Sequence, residues 1–119
     1  MPLLFAGKRV ISMKFIVNNS IWNLIFVKHQ SKMLERSDGT RTIGVTDNNL
    51  KSVCIANNLS DYMKYKVLCH ELVHVYCFEF NIDFDIETEE KIASFVANYG
   101  KDIVYKTDEI IEKALKNIV

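Results

Sequence analysis

A chain of 119 residues without repeats or a linker reads as one domain, residues 1–119, able to bury roughly two-thirds of its unfolded surface. A hydrophobic content of 49% and a charged content of 25% exclude disordered and low-complexity classes, and fifteen basic against fifteen acidic residues argue against a nucleic-acid partner. Three cysteines (Cys54, Cys69 and Cys77) form no disulfide framework and suit a reducing, cytoplasmic setting; no apolar run approaches the ~20 residues of a membrane span.

The first nine residues place a short apolar run, Leu3 to Ala6, ahead of Lys8 and Arg9, the reverse of a signal peptide's order. They read as a leader strand or a loose end, with residues 1–12 peripheral. Strands follow. Met13 leads into Phe15-Ile16-Val17, and Ile21 to Val27 is rich in β-branched and aromatic residues. Lys28 to Arg36 reads as loop or a short helical turn, and Ser37-Asp38-Gly39 as a turn. Thr42 to Thr46 and Ser52 to Ala56 are two further strands. Short turns between them predict antiparallel pairing.

The second half reads as helices. Ser60 is placed to cap a helix from Tyr62 to Phe80. Thr88 is expected to cap a second helix, Glu89 to Tyr99, which Gly100 interrupts or ends. Thr107 is expected to cap a third, with Asp108 and Glu109 at its positive end. Strands first and helices second define an α+β fold: a short antiparallel sheet packed on the first helix, then a glutamate-bearing helix and a C-terminal helix.

The first helix carries His70-Glu71-Leu72-Val73-His74. Residues i and i+4 stand above one another on one helix face, so His70 and His74 can hold one zinc ion. Glu71 points to the side of that pair, where it reaches a zinc-bound water as general base. Apolar neighbours at Val67, Leu68, Leu72, Val73 and Val75 mark a helix being buried, in which two histidines and a carboxylate require partners. His29 lies in a polar stretch and reads as a surface residue.

A catalytic zinc needs a third protein ligand and an open fourth position. Ile92, Phe95, Val96, Tyr99 and Ile103 form the apolar stripe of the second helix. At 100° per residue, Glu89 lies about 60° from its centre and Glu90 about 160°. Glu89 is therefore expected inward as the ligand and Glu90 toward solvent. The alternative role for Glu89 is a favourable charge in a helix's first turn.

The His70–His74 motif followed by Glu89, Ile92, Phe95 and Val96, with Gly44-Val45-Thr46-Asp47 upstream, resembles the gluzincin pattern of small metallopeptidases in the ImmA/IrrE group, similar members of which occur in prophages and other mobile elements. The resemblance spans roughly residues 21–99. It implies a zincin-like fold, one Zn2+ per chain held by His70, His74 and Glu89, and Glu71 as catalytic base. The implied reaction is hydrolysis of a peptide bond, in a substrate such as a mobile-element repressor. Where the family often has a polar residue four positions after the glutamate ligand, this chain has Ala93. Counting from Glu90 gives Ser94, which leaves the alternative register open.

Tyr76 and Tyr99 are candidate transition-state donors or core residues. Cys69 and Cys77 read as small buried hydrophobes. So small a domain is expected to lack a deep side-chain pocket and to hold an extended peptide at its sheet edge. The alternative to an enzyme is a zinc-stabilised or degenerate zincin that binds a partner protein without cleaving it.

Overall fold

A computed structural model describes residues 11–117. The reading of residues 1–9 as a leader lies outside them. Four strands and three helices follow in the order β1 (Ile11–Val17), β2 (Ser20–Val27), β3 (Gly44–Asp47), β4 (Ser52–Ala56), α1 (Asp61–Glu79), α2 (Ile86–Phe95) and α3 (Lys101–Lys116). The class is α+β, as expected. Ile11 and Ser12 already belong to β1, so they are part of the sheet and not peripheral to it.

The sheet order is β1-β2-β4-β3. β1 and β2 form an antiparallel hairpin whose turn residues, Asn18 and Asn19, take φ of +50° and +66°. Asparagine tolerates that left-handed conformation, which matches the twist of the strands. β3 and β4 also pair antiparallel. β2 and β4, however, run parallel, with Leu24 opposite Val53 and Phe26 opposite Ile55. The sheet is mixed and corrects the wholly antiparallel expectation. The physical reason lies in residues 28–51. They are long enough to carry the chain back to the starting end of β2, and β3 then takes the outer edge.

β4 is buried at every position. Val53 and Ile55 join Val17, Trp22 and Leu24 against Val67 and Val75 of α1. On the opposite face Cys54 and Ala56 join Val27 and the fully buried Leu34, delivered by a short 3-10 turn at Lys32–Leu34. A central strand covered on both faces reads as an unbroken apolar run, which is what Ser52-Val53-Cys54-Ile55-Ala56 is.

Ser60 caps α1 by accepting from the Met63 N–H, as expected. Asn81, at φ +54°, ends it. α2 begins earlier than expected, because Asp85 and not Thr88 is the cap: its Oδ1 accepts from the Thr88 N–H at 2.7 Å. Gly100 does not end the helix. Val96–Gly100 is a widened π-type turn that runs directly into α3. Thr107 is not a cap either; it lies within α3 and donates its hydroxyl to the Ile103 carbonyl four residues back, at 2.7 Å. Every residue of α3 is exposed.

Candidate metal centre

α1 presents two adjoining stripes. Val67, Glu71 and Val75 are buried against the sheet. Lys66, His70 and His74, one residue earlier in each turn, face α2 and an open cleft. At 100° per residue the glutamate of the motif thus lies about 100° round the helix from His70 and about 60° from His74.

The imidazoles meet both glutamates of α2. His70 Nε2 lies 2.9 Å from Glu90 Oε1, and His74 Nε2 lies 3.1 Å from Glu90 Oε2. The other ring nitrogen of His74, Nδ1, faces Glu89 Oε2 at 2.5 Å. Ligand atoms of His70, His74 and Glu90 all fall within 4.8 Å of one another. Glu90, 53% exposed at its side chain, lies on the solvent side as expected, yet its carboxylate spans both histidines; Glu89, 18% exposed, faces inward onto Nδ1 of His74. The angular reading ranks their burial and does not tell which carboxylate bridges the histidines. Phe95, Tyr99 and Ile103 are exposed, and the position pressed fully against α1 is Ala93. Measured from Ala93 at 100° per residue, Glu89 lies about 40° to one side and Glu90 about 60° to the other, so both reach α1.

Glu71 is 8% exposed and turned toward β3. Its Oε1 accepts from the Thr46 hydroxyl at 2.7 Å. Gly44 makes that approach possible. A Cβ there would lie 2.6 Å from Val67 Cγ1 and 3.3 Å from Glu71 Oε2, so only a bare backbone fits between strand and helix. Glu71 shares with His70 and Glu90 the lining of a cleft of about 310 Å³, whose other walls include Arg36, Lys66 and Ser94. The cleft is open to solvent. Ser94 stands one turn after Glu90, the polar neighbour that the alternative register supplies.

Tyr76 and Tyr99 are neither core nor cleft residues. Tyr76 stacks on Phe80 at 5.7 Å and Tyr99 leans on Phe95 at 5.5 Å, both exposed. Burial raises all three thiols: Cys54 with help from the nearby Asp47 charge, Cys69 by burial alone, and Cys77 with help from the charge of Glu89. Cys69 donates weakly to the Val96 carbonyl at 3.8 Å. Cys77 is buried as expected, whereas Cys69 is only half-buried. His29 is exposed.

The sequence assigned no role to three residues that line or brace the cleft. Thr46 stands in the upstream Gly44–Asp47 segment, but its contact with Glu71 follows only from the way β3 lies on α1. Lys66 had a local signal, since it stands four residues before His70. Arg36 reaches the cleft through a loop that no periodicity describes.

No protein-family model, no curated protein and no solved structure matches this chain.

Proposed function

We propose that the chain is a zinc-dependent metallopeptidase of zincin-like build, with His70, His74 and Glu90 as the metal ligands and Glu71 as the base. The observation that carries this reading is the convergence of two imidazole nitrogens and one carboxylate within 4.8 Å beside a cleft that Glu71 also lines. The donor set fits zinc. Two imidazoles and a carboxylate are the set of a catalytic site that keeps its fourth position open. Glu89 strengthens the fit. A ligating histidine usually donates its second ring N–H to a carboxylate, and Glu89 stands at Nδ1 of His74 to receive it. Bound zinc would supply Lewis acidity, polarising the scissile carbonyl and lowering the pKa of its water to about 7. Glu71 takes the proton of the attacking water and passes it to the leaving amide nitrogen. Thr46 holds Oε1, which leaves Oε2 as the accepting atom. The resemblance to the ImmA/IrrE group supports a protein substrate, such as a mobile-element repressor.

The test is metal analysis of variants. One zinc per chain is expected, lost in His70→Ala, His74→Ala and Glu90→Ala. Glu89→Ala is expected to weaken binding about 10–100-fold without abolishing it. Glu71→Gln is expected to keep zinc and lose hydrolysis. Retention of full zinc affinity in Glu90→Ala, with loss in Glu89→Ala, would return the ligand role to Glu89.

A second reading has its own observation. His70 and His74 already have carboxylate partners, and among the described residues no buried side-chain polar atom lacks one. A zincin-like module whose clasp of histidines and glutamates fastens α2 to α1, and which binds a partner without cutting it, is consistent with that. Zinc binding without hydrolysis of any offered peptide would favour this reading.

A further inference from the structure

The cleft beside the histidines is lined by charged groups of both signs. His70 and Glu90, two of the proposed metal ligands, and Glu71, the proposed base, share its walls with two cations, Arg36 and Lys66. Neither cation forms an ion pair with a described residue. Arg36 donates from Nη2 to the Thr42 hydroxyl at 3.3 Å. Asp38, two residues on, feels the Arg36 charge, but its carboxylate is engaged by Thr40 through both its N–H and its hydroxyl. Lys66 is half-buried, and its ammonium hovers 5.5 Å from the exposed Tyr62 ring. A chain with zero net charge thus carries, in a cleft that adjoins its proposed metal ligands, two positive groups that form no ion pair with a described residue.

We infer that Arg36 and Lys66 form a subsite for an acidic side chain of a peptide substrate. This rests on the peptidase reading for the scissile bond, but the subsite is defined by its own residues. Spacing fixes where the acid belongs. Lys66 precedes His70 by one helical turn, about 6 Å along the axis of α1. Consecutive residues of an extended peptide alternate faces, and side chains on one face recur about every 6.6–7 Å. An Asp or Glu that meets Lys66 is therefore about two residues from the peptide bond presented to His70 and His74. Arg36 closes on the same carboxylate from the loop that precedes β3, where its planar fork suits a bidentate contact.

The experiment uses the full zinc-loaded chain and short peptides that differ only in carrying Asp, Asn or Lys at each successive position. Cleavage is followed with the unaltered chain, and binding with Glu71→Gln. Asp is expected to be preferred over Asn by about tenfold at one position near the cut, in both assays, the ratio that ~1.4 kcal/mol of ion pairing delivers. Lys66→Met and Arg36→Met should each erase the preference, and Lys66→Arg should keep it, with zinc stoichiometry unchanged in all three. Cleavage without preference for an acid at any position overturns the subsite and leaves the peptidase reading standing. Acid-selective binding that depends on Lys66 and Arg36, with no cleavage by the unaltered chain, supports the subsite and overturns the peptidase. Neither binding nor cleavage overturns both.

Discussion

Glu71 and its histidine neighbours are adjacent in sequence and separated in task, and the residue that makes this possible is Gly44. Its missing side chain lets β3 lie against the Val67–Glu71 turn of α1, which brings the Thr46 hydroxyl to the carboxylate. Gly44→Ala puts a methyl 2.6 Å from Val67 Cγ1. It is expected to cost about 1–3 kcal/mol by overpacking, measured by denaturant unfolding. The same substitution should slow any hydrolysis further than the stability loss explains, because the wall that holds Glu71 must shift. The histidine motif was legible at this scale, since a five-residue pattern on one helix needs only the helical repeat. The choice between Glu89 and Glu90 was not. It depends on side-chain reach, since the inward Glu89 and the more exposed Glu90 flank Ala93 on either side and both touch His74.

Elements are joined by a second carboxylate that has no part in the site. Glu79, at the end of α1, accepts from Ser20 Oγ at 2.7 Å, Trp22 Nε1 at 2.8 Å and Lys51 Nζ at 2.8 Å. Its backbone carbonyl accepts from Asn18 Nδ2. One residue thus ties the end of the helix to the starting end of β2, where the β1–β2 turn and the approach to β4 meet. The Lys51 hydrogen bond first, then that of Ser20, hold its carboxyl down from the ordinary 4.5 to about 2. The folded-state value lies below the unfolded one, so the stabilisation is complete above about pH 4.5 and is lost as pH falls toward 2. Glu79→Gln is expected to be less stable at neutral pH and to lose less of its remaining stability over that acid range, read from unfolding midpoints at a series of pH values. Nothing in the sequence announced this tie. Strand and helix positions followed from composition and caps, whereas parallel pairing of β2 with β4, and the partners of Glu79, are set by contacts between distant segments.

The whole molecule is longer than its size requires. A Cα radius of gyration of 17.3 Å and extents of 58 × 38 × 27 Å compare with the roughly 13–14 Å radius usual for a compact domain of this length. α3 accounts for the difference. It buries none of its residues, although Lys101 holds its start near the rings of Tyr65 and Tyr105. A helix without tertiary support keeps only local stability. Amides of 105–116 are expected to exchange with solvent far faster than those of α1. A chain ending after Lys106 is expected to keep the unfolding midpoint of the sheet–α1 core; a large drop would show that α3 contributes to the core. The α+β class was legible because strand-like and helix-like stretches occupy separate halves. The fusion of α2 and α3 was not, because Gly100 and Thr107 carry the signals of a break, and a π-type turn absorbs the one while a back-bonded hydroxyl neutralises the other.

The contact at Gly44 also bears on the width of the cleft. A Cβ at position 44 would lie 2.6 Å from Val67 Cγ1, so any residue but glycine would prop β3 away from α1. Such a wedge would stretch the Thr46–Glu71 hydrogen bond and widen the cleft that Gly44 and Glu71 both line. Position 44 is thus a shim whose thickness is zero, and the gauge of the entrance is set by a methyl group that is not there.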